Sequence, residues 1–186
     1  MNQQLLNRYR KMPFMIRYAD MFQRSQIIPS LMPEHIQDSE QLRAHYPHLL
    51  NECSGQASKD LQRTVDEEYK NADVESVNKA TGEPIYDLLN RGGKLWRPLL
   101  GMMFAEAFGR DLNDFEANKD VYYSCGLTEL VHNGSLMIDD IEDGSEKRRG
   151  DLCSHKKFGV DVAINAGCFM MFSPITKAVH YIPVDK

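Results

Sequence analysis

The stretch His132–Gly150, HNGSLMIDDIEDGSEKRRG, decides how this chain is read, because it sets three aspartates and two arginines where a helical pattern runs out. A helix turns about 100° per residue, so positions i+4, i+7 and i+11 return to one face. His132, Ser135, Asp139 and Asp143 then form one row with Asp140 beside it. Leu127, Leu130, Val131, Gly134, Ile138 and Ile141 fall roughly opposite. One face is expected to pack and the other to carry chemistry. Carboxylates one turn apart can share a hard divalent cation such as Mg²⁺, which takes oxygen ligands and commonly sits between one or two carboxylates and a phosphate. Arg148 and Arg149 follow the turn at Gly144, and guanidinium forks suit phosphate oxygens. An acidic last turn opposes the helix dipole, so helix stability alone does not account for these acids. A calcium loop begun at Asp139 would place Ile141 third and Gly150 twelfth, where oxygen ligands are required; that reading fails.

A second block, GGKLWRP at Gly92–Pro98, sets Lys94 and Arg97 one turn apart beside a glycine pair. Glycines let a backbone approach an anion closely, and a helix start adds unpaired N–H groups and positive dipole. The block reads as an anion site that needs no metal. Leu95 and Trp96 are expected to pack.

At 186 residues the chain can bury the core of one domain. A net charge of −5 argues against a general nucleic-acid binder. No apolar run is expected to reach the roughly 18–20 residues of a membrane span. Cys53, Cys125, Cys153 and Cys168 lack zinc-ligand spacing and read as free thiols of a reducing compartment. The first 33 residues carry Arg8, Arg10, Lys11, Arg17 and Arg24 against Asp20 alone. Such a start can be a mitochondrial presequence, but serine is sparse and Pro13, Pro29 and Pro33 interrupt a long helix. A cytoplasmic location is the first expectation and a mitochondrial one the alternative.

Residues 1–55 read as an irregular N-terminal extension with room for two short helices, and a boundary near Cys53–Ser58 separates them from 56–186. A charged helix is expected over 59–79, broken by TGEP at 81–84. Further helices are expected over 85–90, 95–108, 119–142 and 160–179, with Gly109 stopping the second and a loop over 144–150. No strand alternation is evident, so the fold class is all-α.

Found in order, the two blocks resemble those of the trans (E-type) isoprenyl diphosphate synthases. GGKLWRP is similar to that family's GGK-x-x-RP element, and the aspartate block to its first aspartate-rich motif with the following arginine pair. FGVDVAINAGCFMMF at 158–172 is similar to the segment that comes next. The resemblance covers roughly residues 60–180 and implies the isoprenoid synthase helical bundle around a central cleft. It further implies Mg²⁺-dependent condensation of isopentenyl diphosphate with an allylic diphosphate. Asp139, Asp140 and Asp143 would be the metal-binding and catalytic carboxylates, and Arg148 would bind the allylic diphosphate. Lys94, Arg97, His132 and Arg149 would bind isopentenyl diphosphate. Small residues at 134 and 135 imply room for a geranylgeranyl or longer product, and the family suggests a homo- or heterodimer. The resemblance is to the N-terminal part of such a domain; a second aspartate-rich motif is missing, so an incomplete bundle without its later helices is expected. Two readings follow: a prenyltransferase, or a non-catalytic partner that associates with a full-length synthase.

Overall fold

The computed structural model describes residues 13–46, 70, 73–179 and 181–182. In chain order its helices are α1 (Pro13–Arg24), α2 (Ile27–Leu31), α3 (Ser39–His45), α4 (Val74–Val77), α5 (Glu83–Leu89), α6 (Trp96–Ala107), α7 (Lys119–Glu142), α8 (Ser154–Phe158) and α9 (Val160–Val179). The last helices of the sequence reading thus have the expected bounds, and among the described residues the fold is all-α apart from one small hairpin. Most of the expected 59–79 helix and the boundary at Cys53–Ser58 lie outside the described residues.

Two expectations need correcting. The loop over 144–150 contains strand β1 (Lys147–Arg148), which pairs antiparallel with β2 (Asp151–Leu152) in the register Lys147 opposite Leu152 and Arg148 opposite Asp151. A strand this short has no alternation to detect. TGEP does not break the chain's helical path. Asn78–Gly82 forms a π-helical turn between α4 and α5, and Pro84 sits in the first turn of α5, where its missing N–H costs nothing. The wider turn accompanies a buried Asn78 side chain that bonds the backbone of Ile36 twice, accepting from its N–H at 2.9 Å and donating to its carbonyl at 2.7 Å. Helix α9 is 20 residues long and apolar enough, by length and composition alone, to cross a membrane, a test that the core helix of a soluble protein also passes. Its Ala163, Ala166, Gly167, Met170, Ser173, Pro174 and Ala178 are buried in the molecule.

The core gathers Tyr18 and Phe22 of α1, Ile27 and Leu31 of α2, Ile85 and Leu88 of α5, Leu99 and Met102 of α6, Leu130 and Met137 of α7, and Met170 of α9. α1 and α2 therefore share one core with α5–α7 and α9, while Leu42 of α3 packs with Ile36 and Tyr46 in a second, smaller cluster. Within the larger core α7 is the spine. It crosses α9 at Gly134, where a Cβ would come 2.6 Å from the carbonyl oxygen of Gly167 and 2.6 Å from Met171 Cγ. Two glycines at one crossing bring the backbones close together, and this close fit fixes α7 against α9.

Candidate active site

The buried row of α7 differs from the one expected. Gly126, Glu129, Leu130, Asn133, Gly134, Met137 and Asp140 face inward, whereas Val131, expected to pack, is 38% exposed. The outward row is as read, with Ser135, Asp139 and Asp143 exposed and His132 partly so. Three polar side chains thus go inward, and each has a reason in its partners.

Asp140 is one of them. Arg148 donates through Nε to its Oδ2 at 2.6 Å and through Nη2 to Asp139 Oδ2 at 3.1 Å. The hydrogen bond from Arg148 to Asp140 raises the guanidinium's affinity for its proton further. The second oxygen of Asp140, Oδ1, is buried with no hydrogen-bond partner. Beside it lies the Cys153 thiol, which burial, and after it Asp140, push up to about 11. Cys125, also buried, is likewise pushed up to about 11 by desolvation. Neither thiol is a nucleophile near neutral pH.

Arg149, next along the hairpin, has a left-handed backbone (φ 53°) and sends its guanidinium inward. Nη2 donates to Asn133 Oδ1 at 2.7 Å, and Nη1 lies 3.4 Å from the Leu88 carbonyl. Burial lowers its pKa, and Glu129 opposes that shift. Asn133 in turn donates to Glu129 Oε1 at 2.8 Å and to the Glu129 carbonyl at 2.7 Å. Burial raises the Glu129 pKa against the pull of the Asn133 hydrogen bond, Arg149 and Arg97.

The glycine loop closes on this cluster, because a Cβ on Gly93 would lie 3.3 Å from Arg149 Nη2. Gly92 has φ 70° and Leu95 φ 51°, a tight path into the start of α6. Lys94 is exposed on that loop. Trp96, expected to pack, is 47% exposed, and the Arg97 guanidinium stacks over its ring at 4.5 Å. Burial, and after it the charges of Arg97, Arg149 and Arg148, hold His132 below its ordinary value. Three arginines are therefore close enough to act on one imidazole.

Arg91, one residue before the glycine pair, is the positioning group that sequence reasoning missed. Its Nη1 donates to the carbonyls of Arg148 (3.0 Å) and Leu152 (2.8 Å), bolting the hairpin to the loop after α5. Its Nε donates to the Asp87 carbonyl at 2.9 Å and it pairs with the Asp87 carboxylate. Lys157 joins Asp87 at 2.5 Å to Asp151 at 2.9 Å. An arginine four residues after an aspartate was the available signal, since such a pair on one helix face is common; that it also holds a distant hairpin is tertiary information.

Of the expected site residues, Arg148 is bonded to Asp139 and Asp140, Arg149 reaches Asn133 beside His132, and the charges of Arg97, Arg148 and Arg149 all act on the His132 imidazole. Lys94 and Asp143 are exposed at the margins. Carboxylate oxygens are the right donors for a hard cation, Asp139 and Asp143 present theirs outward one turn apart, and Asp140 keeps an oxygen with no donor. In chemistry the set fits Mg²⁺. Among the described residues no three such side chains are gathered closely enough to hold a metal by themselves, so substrate and water oxygens would complete the shell.

Fold and site together define an all-α protein in which an acidic helix end is set against an arginine-bearing hairpin. The model of the polyprenyl synthetase family matches residues 78–184, and the chain belongs to that family. It is 32% identical over 119 residues to the geranylgeranyl pyrophosphate synthase of Geoglobus acetivorans, covering 64% of this chain and 34% of that protein. The geranylgeranyl diphosphate synthase of Sulfolobus acidocaldarius is 31% identical over 120 residues, 63% of this chain and 33% of that one. The octaprenyl diphosphate synthase of Escherichia coli is 29% identical over 121 residues, 65% and 34% respectively. A crystal structure of a geranylgeranyl pyrophosphate synthase aligns with 69% of this chain and 38% of its own at a TM-score of 0.49 and 29% identity. The chain spans about a third of the length of the curated relatives it matches.

Proposed function

We propose that this chain carries the diphosphate-handling half of a prenyltransferase that condenses isopentenyl diphosphate with an allylic diphosphate. The observation that carries this is the adjacency of two opposite sites: Asp139 and Asp140 at the end of α7, and Arg97, His132 and Arg149 beside them, with Arg148 between. An acidic site needs a cation before it can hold a diphosphate, while a basic one does not. Substrates with like-charged heads can then be bound side by side without both sites attracting the same one. Asp139, Asp140 and Asp143 would hold Mg²⁺, which when bound supplies charge neutralisation to a leaving diphosphate.

The remaining work falls to the protein's own residues. Arg148, released from Asp139, would grip the allylic diphosphate as its C–O bond breaks. Arg97, Arg149 and His132, with Lys94 at the loop margin, would orient the isopentenyl diphosphate so that its double bond attacks the allylic carbon. A new C–C bond forms, a proton leaves, and the product is one five-carbon unit longer. A geranylgeranyl or longer product is consistent with the relatives' names. The support differs at the two small residues: Ser135 is exposed on the chemical face, whereas the space beside Gly134 is filled by Gly167 and Met171. The alternative, a partner subunit that acts with a longer synthase, is favoured by the apolar side chains Phe104, Phe108, Phe172 and Val179, each more than half exposed.

The test is incorporation of labelled isopentenyl diphosphate in the presence of Mg²⁺ and geranyl or farnesyl diphosphate, by the chain alone and with a co-expressed longer family member. Incorporation that disappears in Asp139→Ala supports the prenyltransferase reading. A change in the partner's product length, without turnover by the chain itself, supports the subunit reading. No incorporation and no effect on the partner would refute both.

A further inference from the structure

We propose that Asn133, backed by Glu129, is a positioning residue that aims the Arg149 guanidinium at the anion site without neutralising it. The inference rests on the diphosphate-binding reading above and gives Asn133 and Glu129 roles that the resemblance does not assign to them. Its basis is a contrast between two adjacent arginines. Arg148 is held by two carboxylates, so its charge is cancelled where it stands. Arg149 is held by a carboxamide, since Nη2 donates to Asn133 Oδ1 at 2.7 Å. A neutral acceptor fixes direction and leaves the full positive charge available for a ligand.

The carboxamide is itself fixed. Asn133 is fully buried, and both its Nδ2 bonds go to Glu129, one to the carboxylate and one to the carbonyl. Turned over, it would set its oxygen against the Glu129 oxygens and its NH₂ against Arg149, so only one orientation is satisfied. Glu129 thereby does its work one step removed: it locks Asn133, and Asn133 locks the fork. The bonds to Asn133 and Leu88 use two of the five guanidinium N–H groups. On the other side lies Gly93, whose missing Cβ leaves the guanidinium face open; a methyl there would sit 3.3 Å from Nη2 and 3.4 Å from Cζ. Gly93 does not have a left-handed backbone, so an alanine is tolerated by the chain, and the three atoms nearest to its Cβ all belong to the Arg149 guanidinium. The left-handed backbone of Arg149 (φ 53°), held by the hairpin that Arg91 ties down, completes the aim.

The experiment titrates the full 186-residue chain with inorganic pyrophosphate by calorimetry, without divalent cations, at fixed salt. Asn133→Ala, which frees the fork, and Asn133→Asp, which neutralises it, should each weaken binding about tenfold or more. In an Arg149→Gln background neither should change the dissociation constant, because the coupling runs entirely through that guanidinium. Gly93→Ala should weaken binding in the parent and leave Arg149→Gln untouched. It carries the test alone if the Asn133 variants fail to fold by circular dichroism. Asn133 and Gly93 variants within twofold of the parent, or equal losses in the Arg149→Gln background, would overturn the proposal. A parent chain that does not bind pyrophosphate would instead sink the diphosphate reading on which it stands.

Discussion

Arg148 meets two carboxylates of different kinds. Asp140 is 4% exposed at its side chain and Asp139 is 53% exposed, so the first bond is an internal one and the second faces solvent. Removing one partner of a buried pair strands the other charge, typically at a cost of about 3–5 kcal/mol. Arg148→Gln should therefore lower unfolding stability by about 3 kcal/mol, and Arg148→Gln with Asp140→Asn should recover most of the loss. Urea unfolding of the two variants checks this, and equal losses in both would show that the pair is not what is being broken. A second expectation concerns His132. Burial and three arginines depress its folded pKa below the ordinary 6.5, so its contribution to stability is present above that value and is lost as pH falls through the folded one. His132→Gln should lose less stability than the parent between about pH 7 and pH 5. A parallel decline in urea midpoints would contradict it. The outward row His132, Ser135, Asp139, Asp143 was legible from spacing alone. Glu129, Asn133 and the inward turn of Asp140 were not, because Asn133 and Asp140 are met by Arg149 and Arg148 of a hairpin that periodicity cannot place.

At the scale of elements, the helices were legible where an apolar stripe runs for several turns, as in α6, α7 and α9, whose bounds differ by at most a residue from those read. What escaped was geometry set by contact. The π turn at Asn78–Gly82 is joined to Ile36 across 42 residues of chain, and the two-residue strands of the hairpin are held by Arg91. Gly134 belongs to the same class: its small size reads as open space along one helix, yet α9 occupies that space. A Cβ there meets the Gly167 carbonyl oxygen at 2.6 Å, and backbone cannot yield as a flexible side chain can. Gly134→Ala should destabilise by about 1–3 kcal/mol, the usual cost of overpacking, and shift α7 against α9. Gly167→Ala, whose nearest obstacles stand at 3.1 Å, should cost less. The order of the two urea midpoints is the test, and a milder Gly134→Ala would mean that the crossing is looser than it stands here.

On the scale of the whole molecule, one face of α9 sets the expected behaviour in solution. Val160, Ile164, Phe172, Ile175 and Val179 are 38–64% exposed and recur at helical spacing, while the small residues of the opposite face are packed on the core. Burying such side chains fully contributes about 1.5–3 kcal/mol each relative to exposure, and these are already partly covered, so each holds a fraction of that in reserve. Five in one stripe are enough to favour association at micromolar protein, against the several kcal/mol that two bodies lose in freedom on binding. The chain is therefore expected to sediment as a dimer or larger species, in keeping with the dimeric partner proposed from its family. Phe172→Asp should shift it to monomer. Residue 172 is 64% exposed and distant in sequence from the acids of α7, so helicity should be retained. Sedimentation velocity over a concentration series, with circular dichroism on the same samples, separates the outcomes. A parent chain that stays monomeric at high concentration, or a Phe172→Asp variant that still associates, would place the contact on another surface, the exposed Phe104 and Phe108 at the end of α6 being the next to replace.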